Sequence, residues 1–191
     1  AEHNFIWCVS SYKYLFEIYG IYLNDVEHFD KHGGSMRYYF SKNKSKKSDE
    51  LIFYEKVEKD IKINSMKTYD NFKMISQKIC EDLFNFVSDK VNKGYTVCGY
   101  GATAKSCTIL NYAKINNNLL TCIYDSTPFK INKLCPGSHI PIRDAIQIKE
   151  DKPDFTILFA WNHKNEILKK ESNTKTTWVE YIPEIIVTNG N

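Results

Sequence analysis

The chain has 191 residues, 42% of them hydrophobic, with 13 Tyr and 11 Phe, enough to build a sizeable core in one domain or one and a half. Its net charge of +3 comes from 26 basic against 23 acidic side chains, and the densest basic cluster, Lys42 to Lys47, lies among Ser and Asn where a solvated loop is expected, so charge argues against nucleic-acid binding. No apolar run approaches the roughly 18 residues of a membrane span, and no signal-peptide pattern is present.

In chain order, Ser10 to Tyr19 places Tyr14, Leu15, Ile18 and Tyr19 on one helical face, with Gly20 as a C-cap. Ile21 to Phe29 alternates as a strand does, His32-Gly33-Gly34-Ser35 breaks it, and the aromatic run Met36 to Phe40 reads as a second strand. Two strands behind one helix leave faces uncovered, so this pair is expected to be the tail of a larger sheet lying upstream. The opening at Ala1-Glu2-His3 fits that expectation of a piece of a longer protein. Ser41 to Ser48 reads as a loop. Leu51 to Lys59 and then Tyr69 to Asn92 follow, the second with Phe72, Ile75, Ile79, Leu83, Phe86, Val87 and Val91 at three- and four-residue steps before Lys93-Gly94, which marks a long amphipathic helix with a stop.

The stretch from Tyr95 to Ala113 combines a short buried strand (Tyr95 to Cys98), a glycine turn and a helix beginning near Thr103. Gly99, Gly101 and Ala104 fit G-x-G-x-x-G/A, in which small residues permit a tight turn, the approach of a pyrophosphate to the backbone, and close helix–strand packing. Free amides and partial positive charge at the helix N-terminus suit an anion, and Lys105 follows directly. The plainer alternative is a glycine turn without a ligand. Leu119 to Tyr124 reads as a strand ending at Asp125, placed either to meet a ribose hydroxyl or simply as a strand-end acid at a turn. Lys133 to Pro141 reads as an extended loop leading to a short helix near Ala145. Phe155 to Ala160 is a continuous apolar run of the kind found in a parallel strand covered on both faces, and Trp161-Asn162 at its carboxyl end are candidate site lining. Lys164 to Lys170 reads as a short polar helix, and Thr177 to Tyr181 with Ile185 to Thr188 complete the sheet. The six cysteines have no C-x-x-C pairing and read as small buried hydrophobes in a reducing compartment, with neither a metal site nor a disulfide framework.

Taken together and in order, Glu2-His3, His32-Gly33-Gly34-Ser35-Met36-Arg37, Gly99-Tyr100-Gly101-Ala102-x-Ala104-Lys105, Leu110-Asn111-Tyr112, Pro136-Gly137-x-x-Ile140-Pro141-Ile142, Pro153-Asp154-Phe155 and Ala160-Trp161-Asn162 resemble the S-adenosyl-L-methionine (SAM)-dependent C-methyltransferases of nucleotide-linked deoxysugars. The resemblance implies a fragment: residues 1–48 as the end of a SAM-methyltransferase domain, 49–94 as connecting helices, and 95–191 as a C-terminal Rossmann-like domain. The implied fold class is α/β, a mostly parallel sheet with helices on both faces, preceded by the last helix and strand pair of the methyltransferase domain.

What the resemblance implies chemically is removal of a proton next to the carbonyl of a keto-deoxysugar, followed by methyl transfer from SAM. Glu2 and His3 match the end of the family's Tyr-x-Glu-His motif, with His3 as base and Glu2 orienting it; imidazole titrates near neutrality and suits that role. His32, Gly33, Gly34, Ser35 and Arg37 match a turn near the reacting sugar, with Arg37 either clamping a phosphate or standing on the surface. Gly99, Tyr100, Gly101, Ala102, Lys105, Asp125, Trp161 and Asn162 are the further substrate-binding candidates. Ser106 stands where the family generally has Gly, and its side chain either crowds a phosphate or points away. The expected partners are a TDP- or UDP-type sugar and an upstream SAM-binding domain in a cytoplasmic protein, with no nucleic acid and no membrane. SAM itself is expected upstream, which leaves this chain alone inactive. The alternative is a non-catalytic Rossmann-like module that binds a nucleotide or a protein within a glycan-modifying protein.

Overall fold

A computed structural model describes residues 5–31 and 34–189, and the chain divides into two compact units, Ala1–Lys73 and Met74–Asn191.

The first unit is built on a hairpin. Helix α1 (Val9–Glu17) leads into β1 (Tyr22–Phe29), which pairs antiparallel with β2 (Ser35–Ser41) through a register shift between Leu23 and Asp25. Gly20, at φ +66°, closes the helix as expected. Helix α2 (Asp49–Asp60) begins at Ser48, whose hydroxyl accepts the Leu51 N–H at 3.1 Å. Cys8 at the start of α1 offers no such cap; instead the Glu58 carboxylate of α2 accepts the Val9 and Ser10 amides at 2.5 and 2.9 Å. That anion at a helix N-terminus ties α1 to α2. The core is Val9, Leu23, Val26 and Leu51, with Met36, Tyr38, Phe40 and Tyr54 against them. The apolar face of the hairpin lies under α1 and α2; the strands expected upstream fall outside this sequence.

The second unit is a six-stranded sheet in the order β5-β4-β3-β6-β7-β8. Its strands are β3 (Val97–Tyr100), β4 (Ile123–Asp125), β5 (Ile142–Asp144), β6 (Phe155–Leu158), β7 (Thr177–Glu180) and β8 (Ile186–Asn189). All pairings are parallel except β7 with β8. Helix α3 (Met66–Asn92) starts in the first unit, and its later turns belong to the second; α4 (Ala104–Tyr112), α5 (Ile148–Asp151) and α6 (Lys164–Lys170) complete the set. Side chains alternate across the sheet. Val97, Ile123, Ile157 and Val179 point to a layer shared with Leu83, Val87 and Leu110 of α3 and α4. Cys98, Tyr100, Tyr124, Leu158 and Trp178 point to the opposite layer, with Ile148 and Ile167 of α5 and α6. The α/β, mostly parallel, Rossmann-like architecture is therefore as expected, and burial on both faces explains the unbroken apolar run at β6.

Several boundaries differ from the sequence reading. β3 runs on through Gly99 and Tyr100, so the turn is Gly101-Ala102-Thr103. β4 starts at Ile123 rather than Leu119. Ile142–Asp144, expected at the end of a loop, forms β5 because it pairs with β4. Of the helices between the hairpin and β3, α2 packs on the hairpin, and Cys80, Leu83 and Val87 of α3 pack under the sheet.

Candidate functional site

In this sheet the chain runs outward from β3 in both directions: β4 and β5 to one side, β6 and β7 to the other. The carboxyl ends of β3 and β6 are thus the topological switch point, where open α/β sheets collect ligands. There the two glycines do packing work. A Cβ on Gly99 would fall 2.5 Å from the Phe159 ring; one on Gly101, at φ +94°, would fall 2.7 Å from the Ala160 Cβ. The turn after β3 is pressed against the chain leaving β6, and only glycine fits both the space and the backbone angle.

At the start of α4, Thr103 and Ser106 form a reciprocal capping box, Thr103 Oγ1 accepting the Ser106 N–H at 3.1 Å and Ser106 Oγ accepting the Thr103 N–H at 2.8 Å. Ser106 is fully buried and curls back on the helix. Two of the four first-turn amides are thereby used, leaving those of Ala104 and Lys105 for an anion.

Asp125 faces the same turn. Its Oδ2 accepts the Ala102 N–H at 2.7 Å and its Oδ1 the Thr127 N–H at 2.8 Å. Lys130 Nζ lies 3.3 Å from Oδ2 and donates to the Ala102 carbonyl at 2.8 Å. Burial pushes this carboxyl up, but hydrogen bonds from Thr127, the Lys130 charge and the Ala102 amide outweigh it and hold it below the usual range. The acid at the strand end is thus the turn's internal counter-charge.

A cleft of about 360 Å³ opens here, lined by Gly101, Thr103, Asp125, Ser126, Thr127, Lys130, Ala160, His163 and neighbouring residues. Lys105, Trp161 and Asn162 are not in its lining. Lys105 Nζ instead sits 4.6 Å from the Trp161 ring centroid, a cation–π contact that parks the charge near the helix start. Tyr100 turns its hydroxyl away from the turn to donate to Glu171 at 2.9 Å, against an edge-on Trp178; burial and then Glu171 push its ionisation well up. Thr103, Ser126, Thr127, Lys130 and His163 escaped the sequence reading. The Asp125-Ser126-Thr127-Pro128 turn was the available signal, since an Asx turn two residues long announces itself in that order.

The hairpin carries the other group. Gly34, at φ +112°, and Ser35, whose hydroxyl donates to the Lys31 carbonyl at 3.0 Å, shape the loop. With His28, Trp7, Tyr12, Tyr38 and Glu58 they line a cleft of about 470 Å³. Arg37 points to the opposite face, donating to Glu27 at 3.1 Å with its guanidinium 4.7 Å from the Phe29 ring centroid. Glu2, His3, His32 and Gly33 lie outside the described residues. His28 was not singled out from the sequence and lines this cleft. Among the described residues no cluster of three or more His, Cys, Asp or Glu side chains is set to hold a metal, and no helix is long and apolar enough to cross a membrane.

Comparison with known proteins bears on both groups. Residues 30–185 match the model of the C-methyltransferase C-terminal domain. The chain is also similar to the C-methyltransferase NovU of Streptomyces niveus, 30% identical over 172 residues, which cover 89% of this chain and 41% of that protein. The chain therefore spans less than half the length of that curated relative. A match over most of its length, on a sheet whose switch point carries the glycine turn, shows that this chain belongs to the C-methyltransferase C-terminal domain family.

Proposed function

We propose that this chain is the sugar-nucleotide-binding C-terminal portion of a SAM-dependent C-methyltransferase acting on a keto-deoxysugar nucleotide. The observation that carries the reading is the strand–glycine turn–helix at the switch point; the Ala104 and Lys105 amides, with the Lys105 ammonium, are assigned to a diphosphate. The Ser126 and Thr127 hydroxyls and the Asp125 carboxylate, all lining the cleft, are assigned to a ribose. Trp161 offers an aromatic face, and Arg37 with the Gly34-Ser35 loop is assigned to the sugar. His3, oriented by Glu2, is the proposed base for the proton next to the carbonyl.

SAM supplies an electrophilic methyl group when bound. Among the described residues the one strand–glycine turn–helix is already assigned to the sugar nucleotide, and the hairpin unit offers no parallel strand. Its binding is assigned to sequence outside this chain, and the chain alone is proposed to be inactive. The domain limits proposed are 1–48, 49–94 and 95–191, in a cytoplasmic protein with a TDP- or UDP-type sugar as ligand.

Titration calorimetry of the chain with TDP, UDP and their sugars tests the binding half. Saturable heat lost on Lys105→Ala is expected, and no heat at millimolar ligand would count against it. Binding retained by a full-length protein that transfers no methyl group would favour the non-catalytic module instead.

A further inference from the structure

Two sulfur atoms far apart in sequence meet beside the candidate site. Cys107, in the second turn of α4, has its Sγ 3.3 Å from that of Cys135, in the segment joining β4 to β5. Cys107 is partly exposed and Cys135 is 1% exposed. The two backbones are already laced together around the sulfurs. The Asn111 amide of α4 donates to the Cys107 carbonyl at 2.7 Å and to the Pro136 carbonyl at 2.9 Å. Gly137 packs against the same Asn111 side chain. Cys135 is held in turn by its N–H to Ile140 at 2.8 Å and by the His139 N–H to its carbonyl at 2.9 Å. A disulfide needs the sulfurs to close by only about 1.2 Å.

We propose that Cys107 and Cys135 form an oxidative modification site, at which a hydroperoxide or a small-molecule disulfide joins them into a disulfide that staples α4 to the β4–β5 segment. Cys107 is the entry point because Cys135 is sealed. With hydrogen peroxide, the Cys107 thiolate attacks the O–O bond to give a sulfenic acid, and hydroxide leaves. The Cys135 sulfur then attacks the Cys107 sulfur, its proton going to the departing oxygen as water. In sum the two thiols lose two electrons and two protons, and the peroxide becomes two waters. With oxidised glutathione, Cys107 first takes one glutathione as a mixed disulfide, releasing the other as thiol, and Cys135 expels the second.

Burial and the neighbouring Cys135 push the Cys107 thiol up to about 11, against a weaker opposing pull from Lys130. The second close pair provides the contrast. Cys98 and Cys122 have their sulfurs 3.6 Å apart, but both residues are buried and offer a reagent no entry. The inference does not depend on the methyltransferase reading.

The test is exposure of the full chain, under native conditions, to excess hydrogen peroxide or oxidised glutathione, followed by non-reducing peptide mapping. The expected product is a single cross-link between the Cys107 and Cys135 peptides, lighter by two hydrogens and reversed by dithiothreitol. Oxidised protein should melt roughly 5 °C or more higher than reduced protein. Cys107→Ser and Cys135→Ser should show neither change, and Cys135→Ser should trap glutathione on Cys107. If Cys135→Ser does not melt cooperatively when reduced, Cys135→Ala takes its place. Adducts on Cys107 of the unsubstituted chain without the cross-link, a Cys98–Cys122 bond instead, or a cross-link formed only in urea would each overturn the proposal.

Discussion

Two glycine turns in this chain are read as facing a ligand, and they are built in opposite ways. Gly101 sits where two buried strands end. Its missing Cβ is filled by Ala160, its neighbour Ala102 donates to a buried carboxylate, and that carboxylate is held by Lys130. Gly34 closes a two-stranded hairpin, where an added Cβ would make only an ordinary contact with His28, 3.4 Å away. The first turn is over-determined by packing and hydrogen bonds, and the second is set by its own backbone. A site built the first way arrives pre-formed; one built the second way has little but local geometry to define it.

The sharpest way to break this contrast is to add the missing methyl group at each turn. Gly101→Ala combines strain at positive φ with overpacking against Ala160 and should cost about 4 kcal/mol, read as a lower urea midpoint for the sheet unit. Gly34→Ala meets only the backbone strain and should cost about 1–2 kcal/mol. Equal losses would remove the distinction.

A smaller effect is expected at Asp125→Asn, about 1–3 kcal/mol at neutral pH, from a buried acceptor that loses its charge beside Lys130. The folded-state value of Asp125 is depressed, so its contribution is present above the unfolded value of about 3.9 and is lost as pH falls through the folded one. Unfolding followed from pH 6 downward should therefore show an acid-sensitive component in the unsubstituted chain that is missing from the Asn variant; identical acid limbs would show that the turn does not use the charge.

The smallest effect on stability belongs to Arg37→Ala. Its partner Glu27 and its guanidinium are both well exposed, and such pairs contribute little. The melting temperature should stay where it is, while turnover of a sugar nucleotide by the full-length protein falls if Arg37 serves the substrate. A drop in melting temperature approaching that of Gly101→Ala would make this edge structural.

Residues differ in how openly they announced these arrangements. Lys164–Lys170 was readable to the residue, as was a helix starting beside Thr103, because capping chemistry and helical periodicity are local. Gly101, Ala102, Lys105, Asp125 and Trp161 were picked from the motif and from strand ends, and all lie near the carboxyl edge of the sheet. Lys130 was missed because its role depends on reaching back to the Ala102 carbonyl and the Asp125 carboxylate, a distance that no spacing rule encodes. Tyr100 was placed in a turn because its apolar ring gives no hint that Glu171 waits for its hydroxyl.

By itself the sequence determined most of the alternation of strands and helices, the presence of a glycine turn ahead of a helix, and, through short motifs in a fixed order, the family; the turn's position, at Gly101-Ala102-Thr103, came from the structure. Only the tertiary structure decided that three residues at Ile142–Asp144 are a strand, that Asp125 serves first as the turn's counter-ion, and that Cys107 and Cys135 lie sulfur to sulfur. Each of those depends on what the folded chain brings alongside: a neighbouring strand, a free amide, or a second thiol 28 residues away.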